Sequence, residues 1–534
     1  MFFYQPCKIF VKKAEYYPGG VILVTQRIAI IDLGSNSARL IVMHIYANGA
    51  YNLVYHQKET VRLSEGMGPG RTINPEAARR AVETMRIFAH MCRLFRVDTT
   101  LAVATAAVRG AKNGPALLAH IATETGISLE SITGNTEART GFLGVVNTLD
   151  ITEAVIFDLG GGSTELTLVK DRKPSKVASL PFGALTLTEQ FGTNDKVSAA
   201  KLDELRGYIM HQLGKIPWLK GVDLPLVGVG GTARNVAKMD QKRKNYPFNK
   251  VHNYRLGDIS LTDLWRGLSM ADHKQRLKFS GLSSERADII VAGTTVIKCL
   301  FDVTRANRLI VSGCGLREGL FLQHYVSRAG QPDIIPDILV HSTHNMLLFY
   351  KGDAAHAYHV TDLALAMFDG WRELHKLDER DRQLLRVSAL LHDIGITINY
   401  YDHPRHSAYL VENARLFGLT HREQMLTAVV AGWHDGASSK YMRNRLYSEF
   451  LDETDWQKAR KMALLLSLAE GLDTTQMGLV KKVTPALKPK TAILLAEVDE
   501  QGATIEMQEV EKHRKWFKRE LGVDLAVQQT AAPR

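Results

Sequence analysis

Residues 28–40 read IAIIDLGSNSARL, and residues 154–166 read AVIFDLGGGSTEL. Asp32 aligns with Asp158, Gly34 with Gly160, Ser37 with Ser163 and Leu40 with Leu166. The copies lie about one small domain apart. In each, an apolar run ends in Asp, passes through small residues and resumes as a second apolar run. That pattern predicts a strand, a tight turn and another strand. A turn without bulky side chains lets a ligand approach the backbone N–H groups. With the hydroxyls of Ser37 and Ser163, such groups make a phosphate cradle. An Asp at the mouth of each cradle repels phosphate unless a cation lies between them, so a divalent metal is implied. The copies differ in one telling way. The first carries Ser35, Asn36 and Arg39 where the second carries Gly161, Gly162 and Glu165. The first is therefore the side that grips phosphate. The second offers open backbone and an extra carboxylate, so Asp158 and Glu165 are the candidate metal ligands.

The pattern outward from these turns is α/β. Residues 27–148 open with three strands and continue with alternating helices and strands. Residues 75–95 have helical apolar spacing, with Asn74 as N-cap and Pro75 in the first turn. A strand is expected over 101–108 and a helix over 113–125. Residues 149–329 repeat the plan and contain two more strand–turn–helix exits, LPLVGVGGTARNVA at 224–237 and RLIVSGCGLREGL at 308–320. Gly230, Gly231 and Thr232 of the first exit are candidate phosphate contacts. GQPDIIP at 330–336 reads as a linker. Beyond it, 337–481 is helical and holds 10 of the 19 histidines. Residues 482–530 read as a small α+β module, with strands at TAILLAEV, ATIEMQEV and VDLAVQ and a helix at EKHRKWFKREL. Residues 1–26 read as an extension before the first strand.

With 534 residues the chain has room for several domains, and its net charge of +11 suits a polyanionic partner. The charge is not gathered into one basic tract, which speaks against a specific nucleic-acid partner. Lys242, Arg243, Lys244 and Lys250 cluster after the GVGGTARN turn and either flank a polyanion track or form a charged surface loop. The four cysteines are scattered without a CxxC pair, which fits a cytoplasmic protein and gives neither a zinc knuckle nor a disulfide framework. No apolar stretch is long enough to span a membrane.

The paired turns resemble the duplicated phosphate loops of the actin-like ATPase, Hsp70 and sugar-kinase superfamily, whose fold is two actin-like (ribonuclease H-like) subdomains. Their wording resembles the exopolyphosphatase/guanosine pentaphosphatase (Ppx/GppA) phosphatase family. ATAAVRGAKN (104–113), GNTEARTGFLG (134–144) and GCGLREGL (313–320) also resemble elements of that family, in the same order. The resemblance implies Glu137 as catalytic base and Arg109 as a phosphate ligand. It also assigns Asp32, Gly34, Ser35, Asn36, Ser37, Arg39, Gly160, Gly161, Gly162 and Ser163 to the phosphate site. It implies Mg²⁺ or another divalent metal, allows a monovalent cation, and implies a homodimer. The expected reaction is hydrolysis of the terminal phosphate of inorganic polyphosphate. Guanosine pentaphosphate is the alternative substrate, and an ATP-dependent actin-like or sugar-kinase-type activity is a more distant one.

The helical region resembles an HD domain. His356, His392, Asp393 and Asp473 are its candidate metal ligands, with His406 and His434 on neighbouring segments. Glu470 stands where the HD pattern has Asp. His341, His344, His359, His375, His403 and His421 read as ordinary core or surface histidines. In the phosphatase family this region is implied to be a non-catalytic module that holds substrate or forms the dimer.

Overall fold

The computed structural model describes residues 25–67, 70–436 and 445–531. The N-terminal extension expected over 1–26 falls almost wholly outside them. The first sheet contains β1 (Gln26–Leu33), β2 (Ser37–Ile45), β3 (Tyr51–Thr60), β4 (Thr99–Ala104) and β5 (Glu130–Ser131), in the order β3-β2-β1-β4-β5. The second contains β6 (Ala154–Leu159), β7 (Thr164–Lys170), β8 (Lys173–Leu180), β9 (Leu226–Val229), β10 (Tyr254–Gly257) and β11 (Arg308–Val311), in the order β10-β11-β9-β6-β7-β8. The duplication thus extends to whole sheets. Each starts with an antiparallel meander and adds parallel strands beside its first member.

Local chemistry explains the elements around the site. The helix Pro75–Leu94 starts where the Asn74 side chain accepts from the Glu76 N–H, and it buries Ala77, Ala81, Met85 and Phe88 on one face. The strand expected over 101–108 is shorter than read. It ends at Ala104, and Ala106–Gly110 forms a short helix behind Thr105. The β-compatible residues Thr105 and Val108 concealed this bend.

Two helices cross behind the cleft, Gly134–Val146 and Leu316–Arg328. Their backbones meet at glycines. A Cβ on Gly144 would lie 2.0 Å from the Gly315 carbonyl oxygen, and one on Gly319 would lie 1.9 Å from that of Thr140. No side chain fits between them.

From Ile338 onward the chain is helical, and β12 (Val480–Lys488), β13 (Thr491–Val498) and β14 (Asp524–Ala531) then form a third sheet. The small C-terminal module is present, and its sheet shares one core with the helices. Trp371 packs edge-on against Phe517 with ring centroids 5.2 Å apart and donates its indole N–H to the Ala486 carbonyl. Two details differ from expectation. ATIEMQEV lies in a helix, Thr504–Lys512, which buries Glu506 and Val510 one turn apart. The strand β12 lacks a clear apolar alternation, since it is mostly exposed and carries Lys481, Lys482, Thr484 and Lys488 among its exposed residues.

The helical region touches both sheet units. The Tyr51 N–H donates to Asn345 Oδ1, and the Asn345 side-chain amide donates to the Tyr51 carbonyl. On the other side Asn253 donates to the Leu419 carbonyl, and the Tyr246 hydroxyl bonds His421. Lys250 is half-buried here, donating to the Ala414 carbonyl and to Gln424. Burial pulls its ammonium down to about 7, with Arg415 adding to the effect. Arg243 and Lys244 both pair with buried Asp240. Three members of the basic cluster, Arg243, Lys244 and Lys250, are therefore paired within the protein. Among the described residues no helix is long and apolar enough to cross a membrane.

Candidate active site

The two hairpin turns face each other across a cavity of about 110 Å³. They are built alike. The Gly34 N–H donates to the Ser37 carbonyl at 3.1 Å, and the Gly160 N–H to the Ser163 carbonyl at 3.0 Å. Behind the first turn, the carbonyls of Ser35 and Asn36 accept from Ser64, Val61 and Arg62. Behind the second, those of Gly160 and Gly161 accept from Ala184, Leu185 and Thr186. A trans peptide points its N–H opposite to its C=O. With the carbonyls tied at the back, the N–H groups of both turns are directed toward the cavity. The turns nearly touch, since a Cβ on Gly162 would lie 2.6 Å from Ser35 Oγ.

Asp32, Gly34, Ser35, Asn36, Ser37, Arg39, Glu137, Asp158, Gly160, Gly161, Gly162, Ser163, Gly230 and Gly231 all line the cavity. Three predicted residues do not. Thr232 is buried with its hydroxyl unpaired, against Gly293. Arg109 and Glu165 sit one layer back. The Arg109 guanidinium donates to Glu137 Oε2 and to the Ile132 carbonyl, both at 2.9 Å, and lies 3.8 Å from Glu165. It reaches this place because the short helix after Thr105 turns it behind Glu137. Glu165 is 3% exposed and accepts from Ser179 Oγ at 3.0 Å.

The sequence reading missed Arg234, Arg286 and Arg317, which join Arg39 in the lining. Arg234 and Arg317 follow glycine turns at the starts of the helices Gly231–Arg243 and Leu316–Arg328, a shared position that was a usable signal. Arg286 lies in an unremarkable SSERAD stretch and is brought in by tertiary packing alone. A Cβ on Gly231 would lie 1.9 Å from its Cζ, so this glycine admits the guanidinium. Gly231→Ala should displace Arg286 and raise KM for substrate at least about tenfold, as loss of one charge-assisted hydrogen bond would. Thermal melting should stay nearly unchanged, because the colliding group is the tip of a flexible side chain.

These arginines strain one another. Burial, together with Arg234 and Arg317, lowers Arg39 to about 9. Burial and Arg39 lower Arg286 to about 10. Two helix N-termini also open on the cavity, adding positive potential. The arrangement favours a multiply charged anion.

The carboxylates are the opposite case. Asp32 pairs across its hairpin with Arg39, whereas Asp158 pairs with Glu165. The first copy supplies its own counter-charge and the second sets two acids side by side. Burial and Asp32 raise Asp158 to about 6, while burial and Asp158 raise Glu165 to about 7. Burial and the charge of Glu165 likewise hold Glu137 well above the usual carboxylate range. An all-oxygen pair of this kind fits a hard divalent cation.

Two actin-like sheet units closing on a phosphate-sized, arginine-lined cavity define a phosphoanhydride hydrolase. The family model of the Ppx/GppA phosphatase family matches residues 41–327, and that of Ppx/GppA phosphatase domain III matches 338–497. The chain belongs to the Ppx/GppA phosphatase family. It is 28% identical over 412 residues to a guanosine-5'-triphosphate,3'-diphosphate pyrophosphatase of Aeromonas salmonicida, covering 75% of this chain and 79% of that one. A protein of the same name from Vibrio vulnificus is 26% identical over 490 residues, covering 91% and 93%. Among solved structures, an exopolyphosphatase from Cytophaga hutchinsonii aligns at 25% identity with a TM-score of 0.54, over 58% of this chain and 99% of that one. The Aquifex aeolicus family member aligns at 28% identity with a TM-score of 0.50, over 57% and 99%.

Proposed function

We propose that this enzyme removes the terminal phosphate of inorganic polyphosphate. The observation that carries this reading is the cavity itself. Two phosphate turns and four arginines surround a space of about 110 Å³. That space is several times the roughly 10–15 Å³ that one water needs by the same measure, which leaves room for a phosphoryl end-group. Glu137 is the base that takes a proton from the attacking water, and Arg109 positions its carboxylate. Asp32, the residues of the two turns, Gly230 and the cavity arginines hold the terminal phosphate. Asp158 would bind Mg²⁺, and Glu165 would bind the ion or its water. When bound, that ion neutralises charge on the phosphate oxygens. The same reading takes the protein to act in the cytoplasm, as a homodimer and without a specific nucleic-acid partner. The cysteines Cys92, Cys299 and Cys314, all free thiols, support the first of these.

Guanosine pentaphosphate is the second reading. It is favoured by the name of the two bacterial relatives, one of which aligns over 91% of this chain. Phosphate release from long polyphosphate, guanosine pentaphosphate and ATP should be measured side by side, with and without Mg²⁺. The primary reading expects the highest kcat/KM on polyphosphate and loss of turnover without the divalent ion. Faster turnover of guanosine pentaphosphate would replace it with the second. Faster turnover of ATP would sink both.

A further inference from the structure

The histidine cluster expected in the helical region comes together in the structure. His356, His392, Asp393 and Glu470 form one set, and Asp393, His403 and His434 a second. Asp473 lies 2.8 Å from His356 Nδ1, and His406 belongs to neither set. His403, read from sequence as an ordinary histidine, is inside the cluster. Elsewhere, a charged seam joins the two sheet units.

The first phosphate turn is held from behind by residues 61–64. Val61 and Arg62 donate their N–H groups to the Asn36 carbonyl, and Ser64 donates to that of Ser35. The second sheet unit meets this same segment. Lys58, the cross-strand neighbour of Arg39, pairs with Glu285. Arg62 Nη2 lies 2.8 Å from Asp288 Oδ2. Asp288 Oδ1 is buried and has no hydrogen bond among the described residues, so Arg62 is the counter-charge that offsets its burial. Glu189 adds a third acid. It lies on the helix Ala184–Phe191, whose first residues hold the carbonyls of the second turn, and it faces the Gly66 N–H.

The acids are fixed in their own unit. The Ser283 N–H donates at 2.8 Å to Asn235 Oδ1, on the helix that starts at Gly231. Arg286, between Glu285 and Asp288, takes the space beside that glycine. The two acids therefore bracket a cavity arginine, and each reaches across to the backing of the first turn. The seam borders a cavity of about 640 Å³ that Arg62, Glu65, Glu189 and Asp288 help to line. Charge, more than packed apolar side chains, joins the units here.

The seam has a force to oppose. Arg39 comes from the first unit, and Arg234, Arg286 and Arg317 come from the second. Their mutual repulsion, which lowers Arg39 and Arg286, pushes the units apart. An anion between them cancels it, and the two ion pairs counter it in advance.

We propose that Asp288 and Glu285 are positioning residues: through Arg62 and Lys58 they hold the first phosphate turn against the second and so set the affinity for a phosphate terminus. Neither touches the reacting atoms. The role rests on the reading of the cavity as the phosphate site, and not on which phosphate-ended substrate fills it.

The test has two arms, both on the full-length chain. The first is hydrogen exchange without substrate, read by mass spectrometry. In the Glu285→Gln/Asp288→Asn protein, peptides covering 61–64 should exchange about fivefold faster than in wild type. Those covering 184–186, behind the second turn, should keep the wild-type rate. The second arm is kinetics on whichever of polyphosphate and guanosine pentaphosphate wild type turns over faster. Each single substitution should raise KM about two- to fivefold, and both together about tenfold, with kcat within about twofold of wild type. Adding Arg62→Met to Asp288→Asn should cost nothing further, since the pair is lost only once. Glu124→Gln, which breaks an ion pair with Arg86 inside the first unit, should change neither readout. A substitution that merely weakened the fold would lower melting and kcat without the rise in KM. Glu285, with its side chain 52% exposed, carries the test alone if Asp288→Asn does not fold. Unchanged exchange over 61–64 overturns the proposal, as does an unchanged KM. A wild type that hydrolyses neither substrate refutes the substrate reading instead, and the exchange arm then decides.

Discussion

Glu137→Gln should lower kcat on polyphosphate by about 10²–10⁴-fold, the usual contribution of a general base. Substrate affinity should change little, because glutamine keeps the shape and the arginines remain. The pH dependence gives a second readout. Burial and the Glu165 charge hold the Glu137 carboxyl well above its ordinary value of 4.5. Only the deprotonated form can accept a proton, so kcat/KM should rise with pH through that titration and fall on its acid side. The ascending limb should disappear from the residual activity of Glu137→Gln. Hydrolysis at the wild-type rate in that variant would remove Glu137 from the mechanism. Arg109→Met should shift the limb to higher pH, since the guanidinium opposes the two raising effects.

The second large effect is expected at the helix crossing. Gly319→Ala places a methyl 1.9 Å from the Thr140 carbonyl oxygen, and this obstacle is backbone. The helices must separate, at a cost of about 1–3 kcal/mol or more. Melting should fall by several degrees. Activity should fall too, because Gly134–Val146 carries Glu137 and Leu316–Arg328 opens beside Arg317. Gly110→Ala is the control, since a Cβ there meets nothing within 4 Å. Equal melting of the two variants would mean that the crossing tolerates separation.

Much of the fold was legible in the sequence. The hairpin turns were readable because small residues between apolar runs permit little else. The order of the motifs led to Glu137, which lies in the cavity wall. Arg286 was not, because nothing local distinguishes a cavity arginine from a surface one; only the space left by Gly231 does. Lys250 looked exposed since its burial comes from residues 414 and 424, far along the chain. His403 and His406 share a helix, and only its rotation relative to the helices bearing His434 and Asp393 tells them apart. ATIEMQEV alternates like a strand, and the buried carboxylate of Glu506, bonded to Thr475 at 2.6 Å, broke the apolar pattern that marks a helix face.

The helical region grips one sheet unit at Tyr51 and the other at Tyr246 and Asn253. It therefore acts as a strap between the two sheet units. A wide gape of the jaws must tear one of these two fastenings. Small excursions need not.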